Sequence, residues 1–174
     1  MELDYDCLSQ HQHIMEGLPV GWSLDMIVPA NRLLPPEKAH QIYLGSFYHH
    51  GFFYVSAGGY YKKMKHLASY KNASNVFGVK NSSWEDEVCE GEGESYGMEA
   101  RAEKRGAYWN AALSYTLSKT DRQFDEINGG RKFPFRFDRR HVLNLTGRIL
   151  IKTKEKKQQY LNLGLAYASG HYLT

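Results

Sequence analysis

The sequence predicts an all-β fold, an antiparallel up-and-down meander of about six long strands that forms part of a transmembrane β-barrel. Three observations predict it: a two-residue hydrophobic repeat, unusually long strands, and connections that alternate in length. Apolar side chains recur at every second position through 109–117, 143–151 and 161–167. This period indicates strands, because successive side chains point to opposite faces. Runs of about nine to eleven residues exceed the usual soluble strand and match a tilted bilayer crossing.

The connections between the predicted strands alternate strictly between short and long. The six strands are placed at about 41–48, 52–70, 95–104, 108–119, 140–153 and 158–169. Membrane barrels keep short turns on the periplasmic side and long loops outside, whereas a soluble sandwich has no reason to do so. The segments around 72–93 and 120–138 are therefore expected to be outer loops. Residues 1–38, with their four prolines, are expected to form an irregular outer-loop segment ahead of the strands of 39–174.

Two further patterns favour a membrane barrel. On the third strand Glu99, Arg101 and Glu103 occupy successive positions of one face, which a packed core would not tolerate but a wet lumen would. Aromatic residues also fall in two rows, one beside the short turns and one some six to eight residues further along the strands. The first row holds Tyr48, Phe52, Phe53, Tyr108, Trp109 and Tyr160, and the second holds Tyr61, Tyr115 and Tyr167. Such rows are typical of the aromatic girdles at the two membrane interfaces.

Composition excludes several function classes. The chain has 174 residues and a net charge of +3, with Lys and Arg scattered rather than striped, so no nucleic-acid partner is expected. No constellation of residues supports catalysis or a cofactor. The two cysteines, Cys7 and Cys89, are compatible either with one disulfide or with two thiols. No run of about 18 apolar residues and no signal peptide follows Met1.

Five ordered motifs resemble TonB-dependent outer-membrane receptors. The segment 133–145, FPFRFDRRHVLNL, resembles the family's signature at the start of a late barrel strand, and it contains Asp138, Arg139, Arg140 and His141. The run YYKKM at 60–64 and the run GESYGME at 93–99, with Tyr96, Gly97 and Glu99, resemble earlier strands. LSYTLS at 113–118 and the stretch 162–174 complete the series. The resemblance covers about residues 18–174.

This resemblance implies a barrel of about 22 strands, closed by a plug and opened by the TonB complex, which actively imports a siderophore, vitamin or glycan across the outer membrane. The whole chain, 1–174, is then expected to be a partial late-barrel unit without plug or terminal strand. Its partners would be outer-membrane lipid, the remaining barrel and plug, and TonB through the full receptor. Gly58 stands where the family usually has an acidic residue.

Four residues on the predicted outer loops are candidate ligand contacts: Trp84, Phe124, Arg131 and Lys132. The aromatic pair is compatible with ligand stacking, although loop packing is favoured for both. The cations could meet an anionic ligand such as a siderophore, or lipopolysaccharide phosphates. His11 and His13 share one strand face, but two histidines without a third ligand are more often incidental than metal-binding. A soluble all-β ligand- or carbohydrate-binding module remains the alternative function.

Overall fold

The computed structural model describes residues 1–15, 26–71, 84–154 and 157–170, and these residues form an antiparallel β-structure. The strands, in chain order, are β1 (Glu2–Gln10), β2 (Gln12–Met15), β3 (Met26–Pro29), β4 (Glu37–His50), β5 (Phe53–Tyr70), β6 (Val88–Arg105), β7 (Trp109–Phe124), β8 (Phe133–Pro134), β9 (His141–Lys154) and β10 (Lys157–Ala168). The main sheet has the order β1-β4-β5-β6-β7-β9-β10, and β8 pairs with β7. Strands β2 and β3 form a separate hairpin. Two short 3-10 turns, Trp84–Glu87 and Asn128–Gly130, lie between the strands.

The six predicted strands are confirmed as β4, β5, β6, β7, β9 and β10. They lie side by side in the main sheet in this same order. Strands β5 and β6 are the longest at 18 residues each, well beyond ordinary soluble strands. The short turns are also confirmed where they are described. Gly51 turns the chain between β4 and β5 with a φ of 57°, in the left-handed region that glycine adopts readily. The short and long connections therefore lie at opposite ends of the sheet.

The expectation that residues 1–38 are irregular is wrong. Strand β1 pairs with β4 over its whole length, from Glu2 opposite Gly45 to Gln10 opposite Glu37, and β4 itself begins before residue 39. The prolines do not prevent this pairing, because the first of them, Pro19, comes after the end of β1. Alternate acidic residues in β1 concealed its period-two pattern. Residues 16–25 and 72–83, which were predicted to belong to outer-loop segments, lie outside the described ranges.

The register divides the main sheet into an apolar face and a polar face. Leu113 of β7 lies opposite Leu145 of β9, which lies opposite Leu165 of β10, and all three point to the same face. The apolar face continues across β1, β4, β5 and β6 in the same register. Its exposed members include Leu3, Ile42, Leu44, Tyr61, Met98, Leu113, Leu145, Ile149, Leu161 and Leu165. An exposed apolar belt of this extent indicates contact with lipid.

Three strands rise beyond their neighbours at the end that carries the long loops. The pairing of β4 with β5 stops at Lys65, and the pairing of β9 with β7 stops at Leu117. We call the projecting parts, 67–70 of β5, 88–93 of β6 and 120–124 of β7, the extension. A β-bulge marks its base, where Lys65 and His66 oppose the single residue Glu92 and His66 has a φ of 60°. The bulge separates the extension from the apolar belt.

All the buried apolar side chains of the described residues lie in the extension or on it. On one side the β2–β3 hairpin and the following loop cover Ala68, Tyr70 and Val88. On the other side Leu67, Cys89 and Phe124 form a second cluster with the loop after β7. Since successive residues of β6 point to opposite faces, both faces of the extension are covered. The extension is therefore a small three-layered core above the belt.

Candidate functional site: the lumen wall and the outer loop

The polar face of the sheet is built around Tyr43. Its ring lies over Gly45 of the same strand and over Gly58 of β5, where a Cβ atom would overlap the tyrosine. The Tyr43 hydroxyl donates a hydrogen bond to Oε1 of Glu99, at 3.2 Å. Glu99 lies directly opposite Gly58 in the register.

Charges on the polar face are paired near the short turns. Glu103 lies between two arginines, at 2.7 Å from Nε of Arg105 and 3.3 Å from Nη2 of Arg101. Both arginines are exposed, which fits a wide, wet lumen rather than a packed core. Because exposed ion pairs contribute little to stability, this network determines the polarity of the wall more than its strength.

Gly58→Ala is expected to destabilise the folded chain by about 1–3 kcal/mol, because the added methyl group displaces Tyr43. Urea unfolding in detergent measures the change. Gly59→Ala is the matched control, since Gly59 faces the other way and its nearest neighbour would lie at 3.5 Å. Tyr43→Ala in the same chain should remove most of the penalty at Gly58. Equal effects at the two glycines would contradict this packing.

The motif at 138–141 fixes the junction between the outer loop and β9. Asp138 is 4% exposed, and its Oδ1 accepts a hydrogen bond from the Thr120 amide at 3.0 Å. The Thr120 hydroxyl is in turn 2.9 Å from that of Ser95. Asp138 thus contacts a backbone amide, and no ion pair joins it to Arg139 or Arg140 in the described part of the chain.

The remaining motif residues lie at the start of β9 or on the apolar and polar faces of the sheet. Arg139 is exposed, and its carbonyl accepts a hydrogen bond from the Ser118 hydroxyl. His141 lies on the apolar face, with Nδ1 2.8 Å from the Tyr115 hydroxyl. A Cβ at Gly97 would come within 2.8 Å of the Tyr60 ring. From the motif run 93–99, Tyr96 lies on the apolar face and Glu99 on the polar face.

The structure separates the four candidate ligand contacts. Phe124 is 1% exposed and stacks on Phe133 at 6.1 Å between ring centroids, so it packs the extension and offers no surface to a ligand. Lys132 is exposed but forms an ion pair with Glu94 at 2.8 Å, which lowers the pKa of that carboxyl. Arg131 is exposed. The side chain of Trp84 lies outside the described part of the structure.

The loop after β7 also holds a stack of aromatic rings and guanidinium groups that the sequence did not predict. The Arg122 guanidinium lies 3.7 Å from the centre of the Phe135 ring, and Phe135 meets Phe137 edge to face at 5.4 Å. Arg136 lies over Phe137 at 4.6 Å, and both of these residues are exposed. The recurrence of Phe at every second position from 133 to 137, with Arg136 between the last two, was the signal that could have revealed this stack. It places an exposed ring beside an exposed cation.

The loop is held against the extension by charge as well as by packing. Lys71, just after β5, forms an ion pair with Glu126 at 3.0 Å. The hydrogen bond to Glu126 raises the pKa of Lys71, although partial desolvation opposes it. On the other side of the extension, Nδ1 of the fully buried His13 lies 3.0 Å from Oε1 of Glu37. His13 therefore takes part in the packing of the hairpin.

Cys89 is expected to resist alkylation in the folded protein. It lies in the extension, above the apolar belt, and is 6% exposed, with its thiol directed to the Ser69 carbonyl at 3.5 Å. Burial raises its pKa to about 11 from an ordinary value of 9.0. The folded state thus favours the neutral thiol, and this contribution to stability is lost as the pH rises from about 9 through about 11.

Iodoacetamide treatment at pH 8, followed by peptide mass mapping, tests the state of Cys89. We expect slow labelling of the folded protein and rapid labelling after unfolding in urea, which serves as the control. Rapid labelling without unfolding would contradict the buried position of this thiol. Cys7 is exposed, and both cysteines are free thiols.

One lipid-facing side, one polar side and strands of up to 18 residues define a section of the wall of a transmembrane β-barrel. Within the described ranges, no helix is long and apolar enough to span a membrane. The family model described as "TonB dependent receptor-like, beta-barrel" matches residues 19–172, so the chain belongs to this family of outer-membrane nutrient receptors. Neither the curated proteins nor the solved structures contain a match.

Proposed function

We propose that this chain supplies barrel wall and outer loops to a receptor that actively imports a siderophore, a vitamin or a glycan. The observation that carries the proposal is the extension, whose two-sided core holds a basic and aromatic loop above the lipid-facing belt. The rest of the barrel and a plug complete the pathway, and the TonB complex supplies the energy for opening. Strands β1 and β10, the edges of the described sheet, are where further strands would add.

Ligand capture is assigned to the exposed side of the loop after β7. Phe137 is 53% exposed and lies against the Arg136 guanidinium, so the pair offers a stacking surface beside a positive charge. Arg131 adds a second exposed cation on the same loop. Such a surface suits an anionic ligand with planar groups. Lys132 is the weaker candidate, because Glu94 already compensates its charge.

Uptake by cells that express the intact receptor carrying this chain tests the proposal. The probes are radiolabelled ferric siderophores, cobalamin and oligosaccharides, each supplied to cells with and without a functional TonB complex. We expect TonB-dependent accumulation of one probe class. Accumulation of none of them, or accumulation that does not require TonB, would count against the proposal.

Binding of that probe to whole cells tests the loop separately. Phe137→Ala and Arg131→Glu are each expected to weaken binding roughly tenfold. Phe52→Ala is the matched control, because Phe52 is 75% exposed but lies at the short-turn end. Unchanged binding after charge reversal at Arg131, with an intact membrane, would remove that residue from the site.

A further inference from the structure

One exposed turn of the loop after β7 contains an asparagine that is followed by glycine. The pair is Asn128 and Gly129, in the short 3-10 turn Asn128–Gly130, and both residues are exposed. Both have a positive φ, 53° for Asn128 and 62° for Gly129, in the left-handed region that asparagine and glycine adopt more readily than other residues. No other asparagine of the chain precedes a glycine. The turn thus presents a carboxamide to solvent beside a glycine amide.

The Gly129 amide is free to react. The amide of Gly130 donates to the Ile127 carbonyl at 3.1 Å, and the amide of Arg131 donates to the Asn128 carbonyl at 3.3 Å. Gly129 lies in the first turn, where helical amides have no carbonyl partner, and its amide donates no hydrogen bond within the described ranges. A Cβ at Gly129 would meet nothing within 4 Å, so no neighbouring group blocks the approach of this amide to the Asn128 side chain.

The other asparagines of the described ranges are held in place. Asn110, Asn144 and Asn162 lie in β7, β9 and β10, where the ladder fixes the backbone on both sides of each residue. Asn31 lies in a loop, but its Oδ1 accepts hydrogen bonds from the amides of Leu33 and Leu34, at 2.8 and 2.9 Å. Asn128 therefore combines an unheld carboxamide with a neighbouring amide that has no partner.

We propose that Asn128 is a site of spontaneous deamidation. The Gly129 nitrogen, after losing its proton to hydroxide, attacks Cγ of Asn128, the Cγ–Nδ2 bond breaks, and a cyclic succinimide forms as ammonia leaves. Water then opens the ring. Cleavage between this nitrogen and Cγ yields aspartate, whereas cleavage between this nitrogen and the Asn128 carbonyl carbon yields isoaspartate. The reaction consumes water, releases ammonia and needs no oxidant or reductant.

Either product changes the charge of the outer loop. Between residues 125 and 137, three cations and two carboxylates give a net charge of +1, which one new carboxylate cancels. Isoaspartate also lengthens the backbone of a turn that is tied to the extension, where the Gln123 side chain donates to the Gly130 carbonyl at 2.9 Å. The loop thus loses its positive charge as the protein ages. The effect on capture of an anionic ligand rests on the proposed function, whereas the reaction itself does not.

Peptide mass mapping of the purified intact receptor, incubated for several days at pH 6 or at pH 8, tests the reaction. A synthetic peptide of residues 124–132 gives the rate without the fold. We expect Asn128 in the folded receptor to convert within about tenfold of the peptide rate, and at least about tenfold faster than the strand asparagines, which must first open. Conversion should be faster at pH 8, because the attacking nitrogen must lose its proton. A rate in the folded receptor more than about tenfold below that of the peptide would show that the turn protects Asn128, and would overturn the proposal.

Two substitutions separate the added charge from other effects of ageing. Asn128→Gln keeps a neutral carboxamide but requires a larger ring, so it should convert far more slowly, and Asn128→Asp carries the product charge from the start. Aged receptor and Asn128→Asp should each bind a radiolabelled anionic ferric siderophore about threefold more weakly than fresh receptor or aged Asn128→Gln. An equal loss in aged Asn128→Gln would contradict a role of Asn128 in capture. Because mass mapping uses no ligand, a receptor that binds no siderophore would count against the proposed function and leave the deamidation site decided by mass alone.

Discussion

Phe124→Ala is expected to destabilise the extension by about 3–5 kcal/mol, the largest effect of any single substitution considered. Phe124 is 1% exposed and packs against Leu67, Cys89 and the Phe133 ring. Removal of the ring leaves a cavity that these neighbours cannot fill, because the β-ladder fixes their backbones. The loop after β7 should then loosen, since its contacts with the extension include this ring.

Hydrogen–deuterium exchange of peptides from β5, β6 and β7 measures the effect on the extension alone. Exchange should accelerate about a hundredfold or more within 67–70, 88–93 and 120–124, and little in the belt. Phe137→Ala is the matched control, because its ring is 53% exposed and its removal should cost less than about 1 kcal/mol. Similar exchange in the two variants would show that the extension does not depend on this core.

Leu145→Arg is expected to destabilise the inserted barrel by about 2–4 kcal/mol, the cost of an arginine near the middle of the lipid-facing band. Leu145 is central on the apolar face, between Leu113 and Leu165. The adjacent residue Thr146 points to the polar face, between Ala112 and Gly164. Thr146→Arg should therefore have little effect, because the added charge enters a wet lumen.

The two arginine variants are compared by heat-modifiable migration and by urea unfolding in lipid vesicles. A large loss of stability in Leu145→Arg, with little change in Thr146→Arg, would assign the Leu145 face to lipid and the Thr146 face to the lumen. The reverse order would exchange lipid and lumen, and a large loss at both positions would indicate a packed sandwich that is buried on both sides. This pair thus also tests the alternative of a soluble binding module.

Strand positions were predictable because one face of each strand meets a uniform environment. For this reason apolar residues recur at every second position in the strands that contain Leu113, Leu145 and Leu165. The alternating short and long connections then predicted an antiparallel meander. Strand β1 was missed because Asp4 and Asp6 sit on a short segment followed by a proline-containing stretch. The partners that pair with Asp4 and Asp6 are Tyr43 and Gln41, which lie 39 and 35 residues further along the chain.

The extension was not predictable, because its core joins residues that are distant in sequence. Met15 and Val28 of the hairpin pack with Tyr70 and Val88, and no local pattern indicates this association. Burial on both faces also removes the period-two signal, so that Phe124 read as a loop aromatic rather than a core residue. The partner of Asp138 was not predictable either. Asp138 lies at the junction between loop and strand, as the motif indicated, but it accepts a hydrogen bond from the Thr120 amide, a backbone group that no side-chain pattern reveals.

The bulge at Lys65 and His66 has a consequence for how the protein responds to its surroundings. Below it, strand β5 is held by lipid, so that unfolding there requires a higher urea concentration. Above it, the same strand belongs to a core that water keeps together, and that core weakens in the cold and in urea as soluble proteins do. The two parts of one continuous strand thus lie in different solvents. Conditions that unfold the extension and its loops can therefore leave the membrane-embedded sheet folded.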